Sequence, residues 1–344
     1  MTSTDTTAVA DPAERDRLLE LLTAYWRTQI VGLTAELGLA DELADGPRDV
    51  AELAARTGTD AGQLARLLRA LDGFGLVAGL DDGRYATTPA GRWLERDRPG
   101  GIHARALLVR RLWYPSWDGL LASLRDGRSG FEHRFGAPLF EHLAAHPDTN
   151  ALFDATMSGS TGVAADEVAA VYDTTWARTL VDLGGGTGAL LGGLLRRNPD
   201  ARGVLVETGP VAERARATLA AGGLDGRCEV RVGDFFADVL GGADLYLLSW
   251  IVHDSDDEPA GRLLARCRRA MGPRARLLVL EIVLPERPEP MTAGLSDLHM
   301  MAVVGGRERT EAEYDRLFAA AGMERVATIP TTGLRAVLEV RVAG

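Results

Sequence analysis

Near the start of the chain, apolar residues recur at helical spacing: Leu18, Leu22, Tyr25, Trp26, Ile30, Leu33 and Leu37. The spacing predicts one helix over 18–37. Leu19 and Leu21 make it apolar on further sides, and such a helix near a chain end is expected to lie against a second subunit, the alternative being that it lies under its own domain. The small polar residues 1–12 before it are expected to be a disordered tail. Residues 49–54 read as a short helix and 57–60 as a turn. Asp60 and Gln63 form a capping pair for a second helix, whose Leu64, Leu67, Leu68 and Leu71 share one face. Gly73 and Gly75 end it. Leu76-Val77 and Tyr85-Ala86-Thr87, joined across Asp81-Asp82-Gly83, read as a hairpin. Helix, turn, helix and hairpin make a winged-helix pattern, placed over 13–100. Arg66 and Arg69 sit where a recognition helix would carry base contacts, but Asp72, Asp81 and Asp82 would repel phosphate, so DNA binding is not expected.

Residues 101–165 read as a helical segment rich in aromatics, with Trp113, Tyr114, Trp117, Phe131, Phe135, Phe140, Phe153 and also Met157. Such residues either build core or line a flat apolar pocket. From 166 to 344, strands (179–183, 203–206, 228–232, 244–248, 276–280, 337–342) alternate with helices (189–197, 211–219, 259–270). A last helix starts at Thr310, where Thr310 and Glu313 form a capping box. This alternation predicts the α/β class, a doubly wound, Rossmann-like sheet covered by helices.

Composition narrows the function. The 344 residues carry 38 basic and 49 acidic groups, a net charge of −11, which disfavours diffuse nucleic-acid binding. Every basic residue is arginine, which excludes a Schiff-base lysine and a phosphate-binding loop lysine. Two cysteines, Cys228 and Cys267, support neither a disulfide framework nor a cysteine-rich metal site. No apolar run is long enough to span a bilayer, and the first residues lack a signal-peptide pattern. A reducing, cytoplasmic enzyme or binding protein is expected, without membrane or nucleic-acid partners.

The first strand of the α/β part runs into Asp182-Leu183-Gly184-Gly185-Gly186-Thr187-Gly188. Glycines there let backbone N–H groups approach a ligand at the next helix N-terminus. Gly184, Gly186 and Ala189 also fit a dinucleotide fingerprint. However, the carboxylate of Asp182 disfavours a pyrophosphate and suits an ammonium. Glu207 ends the second strand, where an acid accepts ribose hydroxyls. Asp234 and Phe235 follow the third strand and suit an adenine amine and ring. Amine, ribose and adenine occur together in S-adenosylmethionine, whose positive sulfonium an acidic cleft tolerates.

His253 follows the fourth strand, at the carboxyl end where α/β enzymes place chemistry. An imidazole there can accept a proton from a hydroxyl. Glu281 ends the next strand and Glu308 lies in Gly305-Gly306-Arg307-Glu308-Arg309-Thr310; either carboxylate can orient the ring. His103, His133, His142, His146 and His299 lack such placement, and no metal site is expected.

Together these residues, with Leu284-Pro285 and the run 305–310, resemble the bacterial and plant O-methyltransferases related to caffeic acid and acetylserotonin O-methyltransferases. The resemblance covers about 18–342. It implies that His253 is the base, flanked by Glu281 and Glu308. It implies a cofactor site of Asp182, Gly184, Gly186, Glu207, Asp234 and Phe235, with Ser249 where many members have Lys or Arg. Ser255 stands where the family often has Trp. Met157 looks like the methionine that walls the substrate pocket, and Trp113, Phe153, Trp250 and Asp254 are further candidate substrate contacts. The resemblance further implies that 13–100 is a dimerisation domain rather than a DNA-binding one, hence a homodimer. The expected activity is methyl transfer from S-adenosylmethionine to a phenolic hydroxyl of a small aromatic metabolite. The alternatives are a family member that binds the cofactor but catalyses hydroxylation, decarboxylation or a pericyclic step, and a winged-helix regulator. Release of S-adenosylhomocysteine separates the first alternative from methyl transfer, and a gel shift at low salt tests the second.

Overall fold

The computed structural model describes residues 12–237, 239–287 and 292–344. The tail expected over 1–12 therefore lies outside the described residues, except Pro12, which opens a helix. The chain divides into two compact units, 1–111 and 112–344.

The first unit contains α1 (Pro12–Thr23), α2 (Tyr25–Glu36), α3 (Leu39–Glu42), α4 (Val50–Thr57), α5 (Ala61–Gly73), β1 (Val77–Gly79), β2 (Tyr85–Thr87) and α6 (His103–Leu108). The single helix expected over 18–37 is two helices. At Ala24 the ladder tightens: its N–H donates to the Leu21 carbonyl at 3.3 Å, and Arg27 N–H donates to the Ala24 carbonyl at 3.1 Å. The carboxylates of Asp49 and Asp60 accept the N–H groups of Glu52 (2.8 Å) and Gln63 (2.9 Å), starting α4 and α5. Leu53, Leu64, Leu68, Leu71 and Val77 then share a core with Leu39 and Leu43. The β1–β2 hairpin is the wing. By contrast, α1 buries no residue in its own chain: Leu18, Leu21 and Leu22 are 61%, 56% and 69% exposed.

The second unit begins with α7 (Tyr114–Ser116), α8 (Leu120–Asp126), α9 (Gly130–Phe135), α10 (Leu139–Ala145) and α11 (Pro147–Val171). The expected boundaries at 100/101 and 165/166 therefore shift. From Leu112 on, the helical segment shares the sheet's unit, and α11 runs through 165/166; Ala164, Ala165 and Val168 are all buried. There follow β3 (Thr179–Leu183), α12 (Ala189–Arg197), β4 (Arg202–Glu207), α13 (Gly209–Ala221), β5 (Cys228–Val232), β6 (Leu245–Ser249), α14 (Asp257–Ala270) and β7 (Arg276–Glu281). The chain ends with β8 (Val283–Leu284), α15 (Thr292–Val303), β9 (Arg309–Thr310), α16 (Glu311–Ala320), β10 (Met323–Pro330) and β11 (Ala336–Val342).

The main sheet has the order β10-β11-β7-β6-β3-β4-β5. The strands β3 to β7 are parallel, while β11 is antiparallel to β7 and β10 to β11. Strand β10 was not legible beforehand. It is an edge strand with alternating exposure and a register shift between Arg325 and Ala327. From β3 the chain moves outward to β4 and β5, then returns to the other side with β6 and β7. The order thus reverses between β3 and β6, and at such a switch point the loops diverge and leave a crevice. Among the described residues, no helix is long and apolar enough to cross a membrane.

Candidate active site

The glycine loop after β3 opens the crevice. Gly184, Gly186 and Gly188 have φ of 69°, 59° and 79°, which favours residues without a Cβ. A Cβ on Gly184 would also stand 2.6 Å from Ile251 Cδ1 and 3.0 Å from the Phe235 ring. The loop therefore brings the β3, β5 and β6 ends together. At the end of β4, Glu207 Oε2 accepts the Gly186 N–H at 3.1 Å, and Oε1 accepts the Thr208 N–H at 2.8 Å. Burial raises the pKa of Glu207 against the pull of those bonds. Asp182 is fully buried beneath the loop, where a Cβ on Gly185 would collide with it. Burial, reinforced by Glu207, pushes Asp182 up to about 7. Neither oxygen of Asp182 has a hydrogen-bond partner, and neither has the buried hydroxyl of Ser249. Unpaired buried polar atoms of this kind are costly. A crevice with one orphaned acid and a hydroxyl, closed by a glycine loop, fits a cationic ligand that also carries hydroxyls. Asp234 Oδ1 accepts the Phe236 N–H at 2.8 Å, which holds the carboxylate beside Phe235.

One strand further along, His253 is 3% exposed. Its Nδ1 lies 3.1 Å from Glu308 Oε1 and 3.5 Å from Glu281 Oε2, while its Nε2 lies 3.5 Å from Asp254 Oδ1. With two carboxylates at Nδ1, that nitrogen carries a proton, and Nε2 is the nitrogen able to exchange one. Burial is the largest single influence and pulls the imidazolium down. The charge of Glu281, the bond to Glu308 and the charge of Asp254 outweigh it and push His253 up to about 10. Burial pushes Glu281 up to about 7 against the opposing charge of His253. Asp254 rises to about 6, also chiefly by burial.

The run 305–310 explains how this geometry is held. Gly306 passes so close to the His253 carbonyl that a Cβ would collide with it. Next to it, Arg307 N–H donates to that carbonyl at 2.8 Å. Glu308 takes the ring, and the buried Arg309 donates to the carbonyls of Val252 (3.0 Å) and Ser255 (2.7 Å). From β7, Glu281 Oε1 accepts the N–H groups of Ile251 (3.0 Å) and Val252 (2.9 Å). His253, Glu281 and Glu308 form the one grouping of three metal-type donors among the described residues. Of the facing atoms, His253 Nδ1 and Glu308 Oε1 are hydrogen-bonded, while Glu281 Oε2 stands 3.5 Å from the ring without a hydrogen-bond partner.

The candidate substrate residues fall into two groups. Trp250 and Asp254 adjoin His253: the indole centroid is 4.9 Å from the imidazole. Among the described residues, Trp250 is the one non-glycine with positive φ, 59°. Such a conformation costs about 1–3 kcal/mol and persists only where its surroundings impose it. Trp113 meets His299 edge-on at 5.0 Å, and Phe153 meets Phe140 at 6.2 Å. Phe153 and Met157 are four residues apart on α11 and share a face.

Several residues of the site were missed from the sequence. Ser296 Oγ donates to Glu308 Oε1 at 2.8 Å, and Asp297 Oδ1 accepts the Glu308 N–H at 2.9 Å. Three residues on from Ser296, His299 stands beside Trp113 and accepts the Trp117 Nε1–H at 3.4 Å. All three lie on α15, where Gly294, Ser296 and Asp297 obscure helical spacing. On α11, Asp154 pairs with Arg214, and Ser158 Oγ is 2.9 Å from Thr187 Oγ1 of the glycine loop. Burial, with the charge of Glu207 adding to it and Arg214 opposing, pushes Asp154 up to about 6.

Comparison with known proteins bears on this geometry. Residues 117–324 match the family model of the O-methyltransferase domain, and 19–97 match that of the O-methyltransferase dimerisation domain. A phenazine O-methyltransferase of Lysobacter antibioticus is 37% identical over 94% of this chain and 95% of its own. The crystal structure of an O-methyltransferase from neocarzinostatin biosynthesis, in complex with S-adenosylmethionine and 2-hydroxy-5-methyl naphthoic acid, superposes with a TM-score of 0.80. It is 32% identical and covers 92% of this chain and 96% of its own. Human N-acetylserotonin methyltransferase in complex with S-adenosylmethionine gives a TM-score of 0.88 at 26% identity, with full coverage of both chains. The chain belongs to the S-adenosylmethionine-dependent O-methyltransferase family.

Proposed function

We propose that this protein transfers a methyl group from S-adenosylmethionine to a phenolic hydroxyl of a small planar aromatic metabolite, with His253 as general base. The observation that carries the reading is the pair of carboxylates at Nδ1 of His253, which leaves Nε2 to take a proton. When bound, the cofactor supplies a methyl group on a positively charged sulfur. The chain's own part is to hold it. The glycine loop and Glu207 receive the ribose, Asp234 and Phe235 the adenine, and Ser249 an adjacent polar group. Asp182 contributes a negative field from beneath the loop. Trp113, Phe153, Met157 and Trp250 wall a flat acceptor, whose hydroxyl faces Nε2.

The proton transfer is balanced. A phenol has a pKa of about 10, and His253 is pushed up to about 10. A base raised in this way is mostly protonated at neutral pH. A cation in the adjoining crevice lowers its affinity for the proton and enlarges the active fraction. Holding hydroxyl and methyl in line supplies much of the remaining rate. The exposed apolar side of α1, with Tyr25 and Trp26, fits a second copy of the chain related by a two-fold axis.

The test is a mass screen with S-adenosylmethionine over hydroxylated phenazines, naphthoates and benzoates, seeking the gain of one methyl. His253→Ala is expected to keep cofactor affinity and to lose turnover by about 100-fold or more. Unchanged turnover in that variant removes His253 from the chemistry.

A further inference from the structure

The left-handed Trp250 is held from two sides. One is the imidazole of His253, with the two rings inclined at 59°. The other is the guanidinium of Arg335, whose Cζ stands 5.4 Å from the indole centroid. Arg335 reaches it from the loop between β10 and β11 and is 7% exposed. Its Nε and Nη2 lie 3.2 and 3.1 Å from Oε2 of Glu167, an equally buried acid on α11. The loop is built around this contact. Thr331 donates to the Arg335 carbonyl through its N–H (3.2 Å) and its hydroxyl (2.7 Å). Gly333 lies so close to Glu167 that a Cβ would collide with it. A continuous line of contacts thus runs from Glu167 through Arg335 and Trp250 to His253.

A buried ion pair is weak evidence for stability, because apolar residues of similar volume often do as well. A desolvated guanidinium over an indole face, however, is a directional attraction. Strain in a non-glycine residue is found where function requires a fixed geometry. Resting on the reading of His253 as base, we propose that Arg335 is a positioning residue for methyl transfer. Seated on Glu167, it clamps the Trp250 indole against the imidazole and sets the orientation of that ring.

The clamp also carries charge. His253 is faced by Glu281 from β7, by Glu308 from the segment before β9, by Asp254 from its own turn and by Arg335 across Trp250. Arg309 grips the backbone of the same turn, and Tyr314 of α16 lies near Glu281 and Glu308. Burial lowers the pKa of Arg335, opposed by the charge and hydrogen bond of Glu167 and by the charge of Glu281. Neutralising Arg335 removes a cation from this group, so the imidazole holds its proton to higher pH.

The experiment uses the full chain saturated with S-adenosylhomocysteine and follows the ¹⁵N signals of the histidine rings between pH 6 and 11. His253→Ala assigns the signal. In Arg335→Gln the His253 titration is expected to move to higher pH, and in Arg335→Lys to return towards wild type. With a phenol that gains a methyl in the screen, kcat of Arg335→Gln is expected to fall about tenfold with KM little changed. Should Arg335→Gln leave Glu167 unpaired and the fold lost, Glu167→Gln/Arg335→Gln keeps two neutral, hydrogen-bonding groups in place and is read through kcat, because it leaves the net charge unchanged. An unmoved titration and an unmoved kcat overturn the proposal, even if the thermal midpoint falls. Retained turnover in His253→Ala would instead overturn the underlying assignment of the base, so the two failures are distinct.

Discussion

The hydroxyl of Ser296 and the Nδ1–H of His253 converge on one atom, Oε1 of Glu308, at 2.8 and 3.1 Å. The carboxylate that orients the imidazole is thus itself oriented from α15. Ser296→Ala removes one donor without touching ring or carboxylate. It is expected to lower kcat by roughly 3- to 10-fold, the range of one hydrogen bond. Cofactor affinity should stay the same. Kinetics together with S-adenosylhomocysteine titration calorimetry check both statements.

The raised His253 makes turnover pH-dependent, with a definite sign. The base acts only when neutral, so kcat/KM is expected to climb with pH through the neutral range into the alkaline range. Glu308→Gln takes away one of the interactions that hold the proton on the ring. The rising limb should then move to lower pH by about one unit. The plateau should fall as well, though less than for loss of the histidine, because Glu281 still faces Nδ1. A rate profile over pH 6–10 decides; a limb that stays in place contradicts the assignment.

Cofactor binding should displace a proton. Asp182, pushed up to about 7 by burial and by Glu207, is partly protonated near neutrality. A cation in the crevice favours its ionised form, so a proton leaves on binding. Calorimetry of S-adenosylmethionine at pH 6.5, in buffers of different ionisation enthalpy, is expected to show release; in His253→Ala, where the histidine no longer contributes, that release is absent at pH 9. At pH 6.5 the release should persist in His253→Ala, shrink in Asp182→Asn, and be smaller for S-adenosylhomocysteine, which lacks the sulfonium charge.

Assembly rests on α1 and the start of α2. Leu22 of α1 and Trp26 of α2 are 69% and 58% exposed, and Leu18, Leu21 and Tyr25 are exposed as well. Light scattering at micromolar concentration is expected to give twice the chain mass. Leu22→Glu with Trp26→Glu should give the monomer, and removal of residues 1–40 an insoluble or inactive protein. A fully active monomer of the intact chain would refute the interface.

Short-range physics made much of this protein readable from its sequence. Strands β3, β4, β6 and β7 are buried on both faces, so they appear as apolar runs. Asp49, Asp60 and Thr310 sit at helix starts because their side chains bond the backbone three residues on. The glycine loop, Glu207, His253 and Glu281 could be picked out because each lies at or just past a strand end, and parallel strands deliver their ends to one edge of the sheet; Glu308 instead precedes β9. The tertiary structure alone decided what depends on contacts between remote segments. The break at Ala24 interrupts an unbroken apolar spacing. Two carboxylates from different segments converge on Nδ1 of His253. Ser296 and His299 lie on a helix whose polar and small residues hide its period. Arg335 and Glu167, far apart in the chain, meet because the β10–β11 hairpin folds back onto α11. Local patterns record which backbone a residue prefers, whereas the partner of a buried charge is set by how the sheet and its helices come together.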